Sequence, residues 1–210
     1  DRVLWLEDGM VRAQGKPRKI TQEYLMEMEK RREEKIEADF EEKQKVQAEA
    51  RSELPHFCTE SAVREGNQRI YFTDAAVRDA DGKHAVFVHA GKPMEICMKY
   101  HAKLVGVQMN FVINITRDDG VHCFGTSALS GRKENEGGIF SEKDGAARVE
   151  VECVNLLKGR YLVDIGIQDL QEQKFDYIYN ALEFRVKDTG NAQGMVRLPL
   201  HWELDWEKGR

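Results

Sequence analysis

The sequence contains no Walker A motif, no G-x-G-x-x-G turn and no nucleophile elbow. None of the local signatures of nucleotide binding or α/β-hydrolase chemistry is therefore present. No apolar run approaches the length of a membrane-spanning helix, about 18 residues, and the first residues do not form a signal peptide. Basic charge is in deficit: 32 Lys and Arg stand against 37 Asp and Glu, for a net charge of −5. That argues against a nucleic-acid surface, since phosphate binding needs clustered cations. Cysteine is scarce, and Cys58, Cys97, Cys123 and Cys153 lie far apart with no C-x-x-C spacing. The expectation is four reduced, buried thiols in a cytoplasmic protein, three of them on strands. The six histidines (His56, His84, His89, His101, His122, His201) show no H-x-x-x-H or H-x-H spacing. His84 and His89 flank one strand with opposite parity, so no metal site is expected.

What is present falls into three parts. The 210 residues suffice for one full core and an appendage, and the start at Asp1 leads to the expectation of a fragment of a longer protein. Residues 1–18 read as a short hairpin, with Val3 and Trp5 on one arm, an Asp8-Gly9 turn and Met10-Val11 opening the other. Residues 19–55 read as a charged helix: no Gly or Pro interrupts Thr21 to Ser52, and Thr21 is the expected N-cap. Glu27–Arg31, Asp39–Lys43 and Glu41–Lys45 have favourable i,i+4 spacing. The apolar stripe (Ile20, Tyr24, Met28, Ile36, Phe40, Val46) is too thin for a core helix, which makes this a connecting helix able to touch a partner along Ile36–Phe40. Leu54-Pro55 is expected to end it.

From Ser61 to Arg210 the periodicity switches to two. Strands are expected over Arg69–Val77, Lys83–His89, Met94–His101, Val107–Thr116, Val121–Thr126, Ala147–Val154, Arg160–Gln168 and Ala181–Val186. Val107, Met109, Phe111, Ile113 and Ile115 point to a core, and Gln108, Asn110, Asn114 and Thr116 point away. Val149, Val151 and Cys153 are expected inward, as are Tyr161, Val163, Ile165 and Ile167. Leu129–Asp144 reads as a polar loop and FDYIYN (Phe175–Asn180) as another, followed by a spacer at Asp188–Gly194 and a last extended segment, Met195–Trp206. Short strands separated by turn signals imply a mainly β fold, an antiparallel sandwich.

The polar face gives the best candidate site. Asn110, His122, Asp164 and Gln168 share strand parity, with Tyr177 or Tyr179 expected at the rim. Amides and carboxylates bond sugar hydroxyls while aromatic rings stack on sugar C–H faces, so this set suits a neutral polyhydroxyl ligand. An ordinary solvated sheet face presents the same residues. Asp164 and Asp169 form a carboxylate pair of the kind glycoside hydrolysis requires, although in so acidic a chain such pairs arise by chance. No catalytic residue is assigned, and a jelly-roll hydrolase or lyase stands as a rival.

Three stretches carry a family resemblance: DRVLWLEDGMVRAQGKP at 1–17, DDGVHCFGTSALS at 118–130, and LLKGRYLVDIGIQD at 156–169 with ALEFRVKDTGNAQGMVRLPLHWEL at 181–204. The chain resembles the C-terminal part of the ATP-binding subunit of O-antigen polysaccharide ABC transporters of the Wzt type. The first stretch resembles the closing hairpin of a nucleotide-binding domain. The resemblance implies an immunoglobulin-like β-sandwich preceded by the long charged helix. It also implies a role in binding O-antigen polysaccharide in the cytoplasm, for export by the transmembrane permease subunit at the bacterial inner membrane. Some members of the family read a modified non-reducing terminus. ATP and Mg would belong to a nucleotide-binding domain outside these residues, and no cofactor is expected within them. The family also dimerises by exchanging its last strand. Here that strand would be Met195–Trp206, with Val196, Leu198, Leu200 and Trp202 as its apolar side. A purely structural dimerisation module without glycan affinity is the second rival.

Overall fold

The computed structural model describes residues 2–47, 54–130, 137–188, 190, 192–198 and 200. They form two compact units divided between Ala50 and Arg51. In the first, strands β1 (Val3–Glu7) and β2 (Met10–Gly15) pair antiparallel. Asp8 and Gly9 both take positive φ, 48° and 79°, which matches the twist of a two-residue hairpin turn. Helix α1 then runs Pro17–Gln47. It starts a turn earlier than expected: the Lys16 carbonyl accepts from the Lys19 and Ile20 amides at 3.1 and 3.2 Å, and Pro17 takes the first helical position, where its missing N–H costs nothing. Thr21 therefore lies inside the helix and does not cap it. The start of α1 packs on the hairpin. Ile20 is buried, and the Tyr24 ring meets Trp5 edge to face at 5.4 Å. Arg12 lies 5.0 Å over the Trp5 ring and pairs with Glu7 and Glu27. Glu27–Arg31 is paired at 3.2 Å. The side chains of Ile36, Phe40, Val46 and the two later expected pairs lie outside the described residues, as does the expected stop at Ser52.

The second unit is mainly β. Its strands are β3 (Val63–Glu65), β4 (Ile70–Arg78), β5 (Phe87–His89), β6 (Met94–Ala102), β7 (Gln108–Arg117), β8 (His122–Ser127), β9 (Ile139–Phe140), β10 (Asp144–Val151), β11 (Gly159–Gln168) and β12 (Lys174–Lys187). A three-stranded sheet has the order β10-β6-β4. A larger sheet has the order β3-β12-β11-β7-β8, with β5 joining β12 and β9 joining β7. All these pairings are antiparallel except β5 with β12. One core contains Phe72, Ile96 and Met98 from the small sheet and Ile113, Ile165 and Phe184 from the large one. Tyr100 and Phe111 meet across it at 5.6 Å. The period-two pattern explains the arrangement: Met109, Phe111, Ile113 and Ile115 on β7, and Tyr161, Val163, Ile165 and Ile167 on β11, are all buried.

Five expectations are corrected. Within Lys83–His89 only the last three residues join a ladder, and His84 makes one isolated bridge to Arg78. The Leu129–Asp144 stretch is not all loop, because Ile139 and Phe140 pair with Met109 and Gln108. β10 ends at Val151, so the inward alternation stops there: Cys153 is exposed and Val154 is buried instead. Of the four free cysteines only Cys58 is buried. Finally, FDYIYN is the first half of the 14-residue β12, not a loop. Opposite Asp164 the register jumps from Val163↔Leu182 to Ile165↔Ile178, a bulge at which Asn180 takes φ 51°. The bulge breaks the alternation by which a strand is recognised.

β12 is pinned by a buried ion pair. Asp176 is 0% exposed, and its carboxylate accepts from Arg64 Nε and Nη2, each at 2.7 Å, and from the Phe72 amide at 2.8 Å. One carboxylate thus joins β12 and β3 of the large sheet to β4 of the small one.

Candidate functional site

The outer face of the large sheet, away from the core, collects the expected polar residues. Register places Gln168 opposite Asn110, Asp164 opposite Asn114 and Gly166 opposite Val112. Tyr177 lies opposite Gly166 on the other flank, and Glu65 lies beyond it. His122, the first residue of β8, pairs with Thr116 of β7. All six residues named from the sequence (Asn110, His122, Asp164, Gln168, Tyr177, Tyr179) therefore lie on strands of one sheet.

Asn114, on that face but not among the six, is its hub. Its Nδ2 donates to the Tyr177 hydroxyl at 2.7 Å, and its Oδ1 lies 3.3 Å from His122 Nε2. Two glycines permit this. A Cβ at Gly166 would come within 2.5 Å of Tyr177 Cδ2, so only a glycine lets that ring lie across β11 and reach β7. A Cβ at Gly125 would come within 2.5 Å of Asn114 Oδ1 and 3.2 Å of His122 Nε2. Tyr177 is only 7% exposed. It is a buried brace under the face, not a rim residue, and burial pushes its phenol above the usual tyrosine range. Tyr179 is the more open ring, tilted at 48° to Tyr177 with centroids 4.6 Å apart.

Lys174 and Glu65, which the sequence reading did not pick out, complete the cluster. Lys174 Nζ donates to Glu65 Oε2 at 2.6 Å and to the Tyr179 hydroxyl at 2.8 Å, and lies 5.1 Å from each tyrosine centroid. The Glu65 carboxylate, then the Tyr179 hydroxyl, hold this ammonium above the usual lysine range. Asp164 Oδ1 accepts from the Asn180 amide at 2.7 Å, which ties the β12 bulge to β11. Burial pushes its carboxyl up; the Asn180 hydrogen bond and the His122 charge oppose that shift. Asn110 Oδ1 accepts from the Leu129 amide at 3.2 Å. Asp169, the suggested partner of Asp164, is occupied in the β11–β12 turn, where its Oδ1 accepts from the Gln171 and Gln173 amides at 2.8 and 2.9 Å. Among the described residues no group of three or more His, Cys, Asp or Glu side chains is placed to hold a metal ion. No helix among them is long and apolar enough to cross a membrane.

The expected dimerisation residues are only partly described. Val196 makes an isolated bridge to Leu156, and the Arg197 amide donates to the Asn155 carbonyl at 2.7 Å. Val196, Leu198 and Leu200 are 51%, 67% and 68% exposed. Trp202 lies outside the described residues.

A family model described as the Wzt C-terminal domain matches residues 61–198. A crystal structure of the C-terminal domain of Wzt is similar at a TM-score of 0.63 and 17% identity, covering 72% of this chain and 93% of that one. At that identity the likeness carries the fold alone. A Niemann-Pick type C2 protein from the Japanese carpenter ant covers 60% of this chain and 99% of its own, at 12% identity and a TM-score of 0.40, a level that carries no argument. No curated protein sequence matches the chain.

Proposed function

The chain belongs to the Wzt C-terminal domain family, and from that premise we propose that it binds O-antigen polysaccharide and selects it for export by an ABC transporter. The observation that carries this reading is the braced polar lattice on the large sheet: Asn114 held between Tyr177 and His122, with Asp164 beside it and Tyr179 open above. Amides, a phenol and a carboxylate fixed by packing offer hydrogen bonds to hydroxyls at low ordering cost. In this reading the chain is a non-catalytic module. ATP and Mg act on a nucleotide-binding domain to which residues 1–18 belong, with α1 as the connection. The permease subunit is the further partner, on the cytoplasmic side of the inner membrane.

The sandwich is of the immunoglobulin-like kind. Tyr161, at the start of β11, donates its hydroxyl to the Leu157 carbonyl at 2.7 Å, the local bond that marks a tyrosine corner in such folds. A second reading, dimerisation through the tail, draws on the exposed Val196, Leu198 and Leu200, which alternate as a strand with one apolar side would. The two roles are compatible.

The test is calorimetric titration of the chain with O-polysaccharide from the encoding strain. Replacing Asn110, His122 and Asp164 together by alanine is expected to abolish measurable binding. Undiminished affinity in that variant would remove this face from the function.

A further inference from the structure

We propose that this face reads the interior of a neutral polysaccharide, along a track that ends on a second aromatic platform at Phe140. The proposal rests on the glycan-binding reading above and specifies its ligand. β9 pairs with the start of β7, with Phe140 directly opposite Gln108. Directly paired residues project to the same side of a sheet, so Phe140 shares the outer face with Gln108, Asn110 and Asn114. Phe140 is 54% exposed. A Cβ at Gly138 would come within 2.5 Å of Gln108 Nε2 and 3.1 Å of Phe140 Cε2. The missing side chain at Gly138 therefore leaves the space that the amide and the ring close on, the same device that Gly166 provides for Tyr177.

The two aromatic positions are far apart. From β9 to β12 there are three strand spacings, about 15 Å, and from the Gln108 row to the Tyr177 row four residues, about 13 Å. The diagonal is roughly 20 Å, several times the width of one sugar ring. Between the ends lie the paired amides Asn110 and Gln168, and then the Tyr177 ring laid over Gly166. A site for one terminal group has no use for hydrogen-bonding amides and open rings spread over that length, whereas a run of consecutive sugars can occupy all of them. The charge pattern selects a neutral polymer: Lys174 is bonded to Glu65, and Asp164, in the Asn114 row, is tied to the Asn180 amide.

The test is calorimetric titration of the full chain with lipid-free O-polysaccharide from the encoding strain, fractionated by length. Interior reading gives a number of bound protein copies per polymer that rises with polymer length. Phe140→Ala and Tyr179→Ala are each expected to weaken binding roughly three- to tenfold. Tyr71→Ala, on the small sheet, should leave binding unchanged. The exposed position of Phe140 means its variant should keep the wild-type thermal midpoint, so lost affinity is not lost fold. One bound copy per polymer at every length would overturn the proposal while leaving glycan binding in place, as would unchanged affinity in Phe140→Ala. No binding by the wild type at any length would overturn both.

Discussion

Asp176→Ala should be the most damaging single substitution within the β unit. The carboxylate is fully buried, and its removal takes away two 2.7 Å bonds from Arg64 and one 2.8 Å bond from the Phe72 amide. Removing one partner of a buried ion pair costs about 3–5 kcal/mol, because the remaining charge stays in a site from which water is excluded. Part of that figure is the Phe72 N–H, since a buried donor left without an acceptor costs about 1–3 kcal/mol. For a chain of this size each kcal/mol moves the thermal midpoint by roughly 2–4 °C, so the fall should be roughly 6–20 °C. Asp176→Asn, which keeps an acceptor for Phe72 but loses the charge, should fall less. Far-ultraviolet circular dichroism during heating is the appropriate assay, because it follows the strands that the clasp holds together. A fall of less than about 3 °C for Asp176→Ala would refute the assignment of this pair as the clasp between the sheets. The same variant should lose glycan affinity, since Tyr177 and Tyr179 ride on the strand that the clasp positions.

Three further outcomes are expected. Gly166→Ala drives a methyl into the Tyr177 ring at 2.5 Å, so it should cost about 1–3 kcal/mol in urea unfolding and weaken glycan binding by displacing Tyr177 from Asn114. Burial holds the Asp164 carboxyl above the usual aspartate range, so the folded chain keeps a proton that the unfolded chain has released, and stability falls as pH rises from that ordinary range through the raised one. Asp164→Asn should therefore melt higher than wild type at neutral pH and coincide with it below the ordinary aspartate range; a variant less stable than wild type at neutral pH would contradict this. Deleting Met195–Arg210 should yield folded monomers by light scattering, since Val196, Leu198 and Leu200 are exposed within the single chain; a dimer that survives would put the interface elsewhere.

The parts of this fold that could be read from the sequence are those governed by local periodicity. The alternation of Met109 to Ile115 and of Tyr161 to Ile167 gave both the strands and their buried sides. What could not be read depends on partners far away along the chain. Asp176 looks like a turn residue until Arg64, 112 positions earlier, is brought against it. The bulge at Asn180 hides the length of β12, because a local excess of residues erases the pattern that defines a strand. The same holds for the site. Face parity found Asn110, His122, Asp164 and Gln168, but the importance of Asn114 comes from Tyr177, 63 positions later, reaching it across a glycine. The sequence did contain a signal for that contact: Gly166 interrupts an otherwise bulky strand, and a glycine there marks a place where something approaches closely. Phe140 was missed because two residues of strand inside a glycine-rich stretch offer no periodicity to detect.

The most direct test of the central claim is to titrate the ¹⁵N-labelled chain with O-polysaccharide and follow its backbone amide resonances. The account predicts shifts concentrated on the outer face of the large sheet, at Asn110–Asn114, Asp164–Gln168, Tyr177–Asn180 and Ile139–Phe140, with the Tyr71, His101 and Asp144 row of the small sheet unmoved. Shifts confined to the small sheet, or none at saturating polysaccharide, would contradict it.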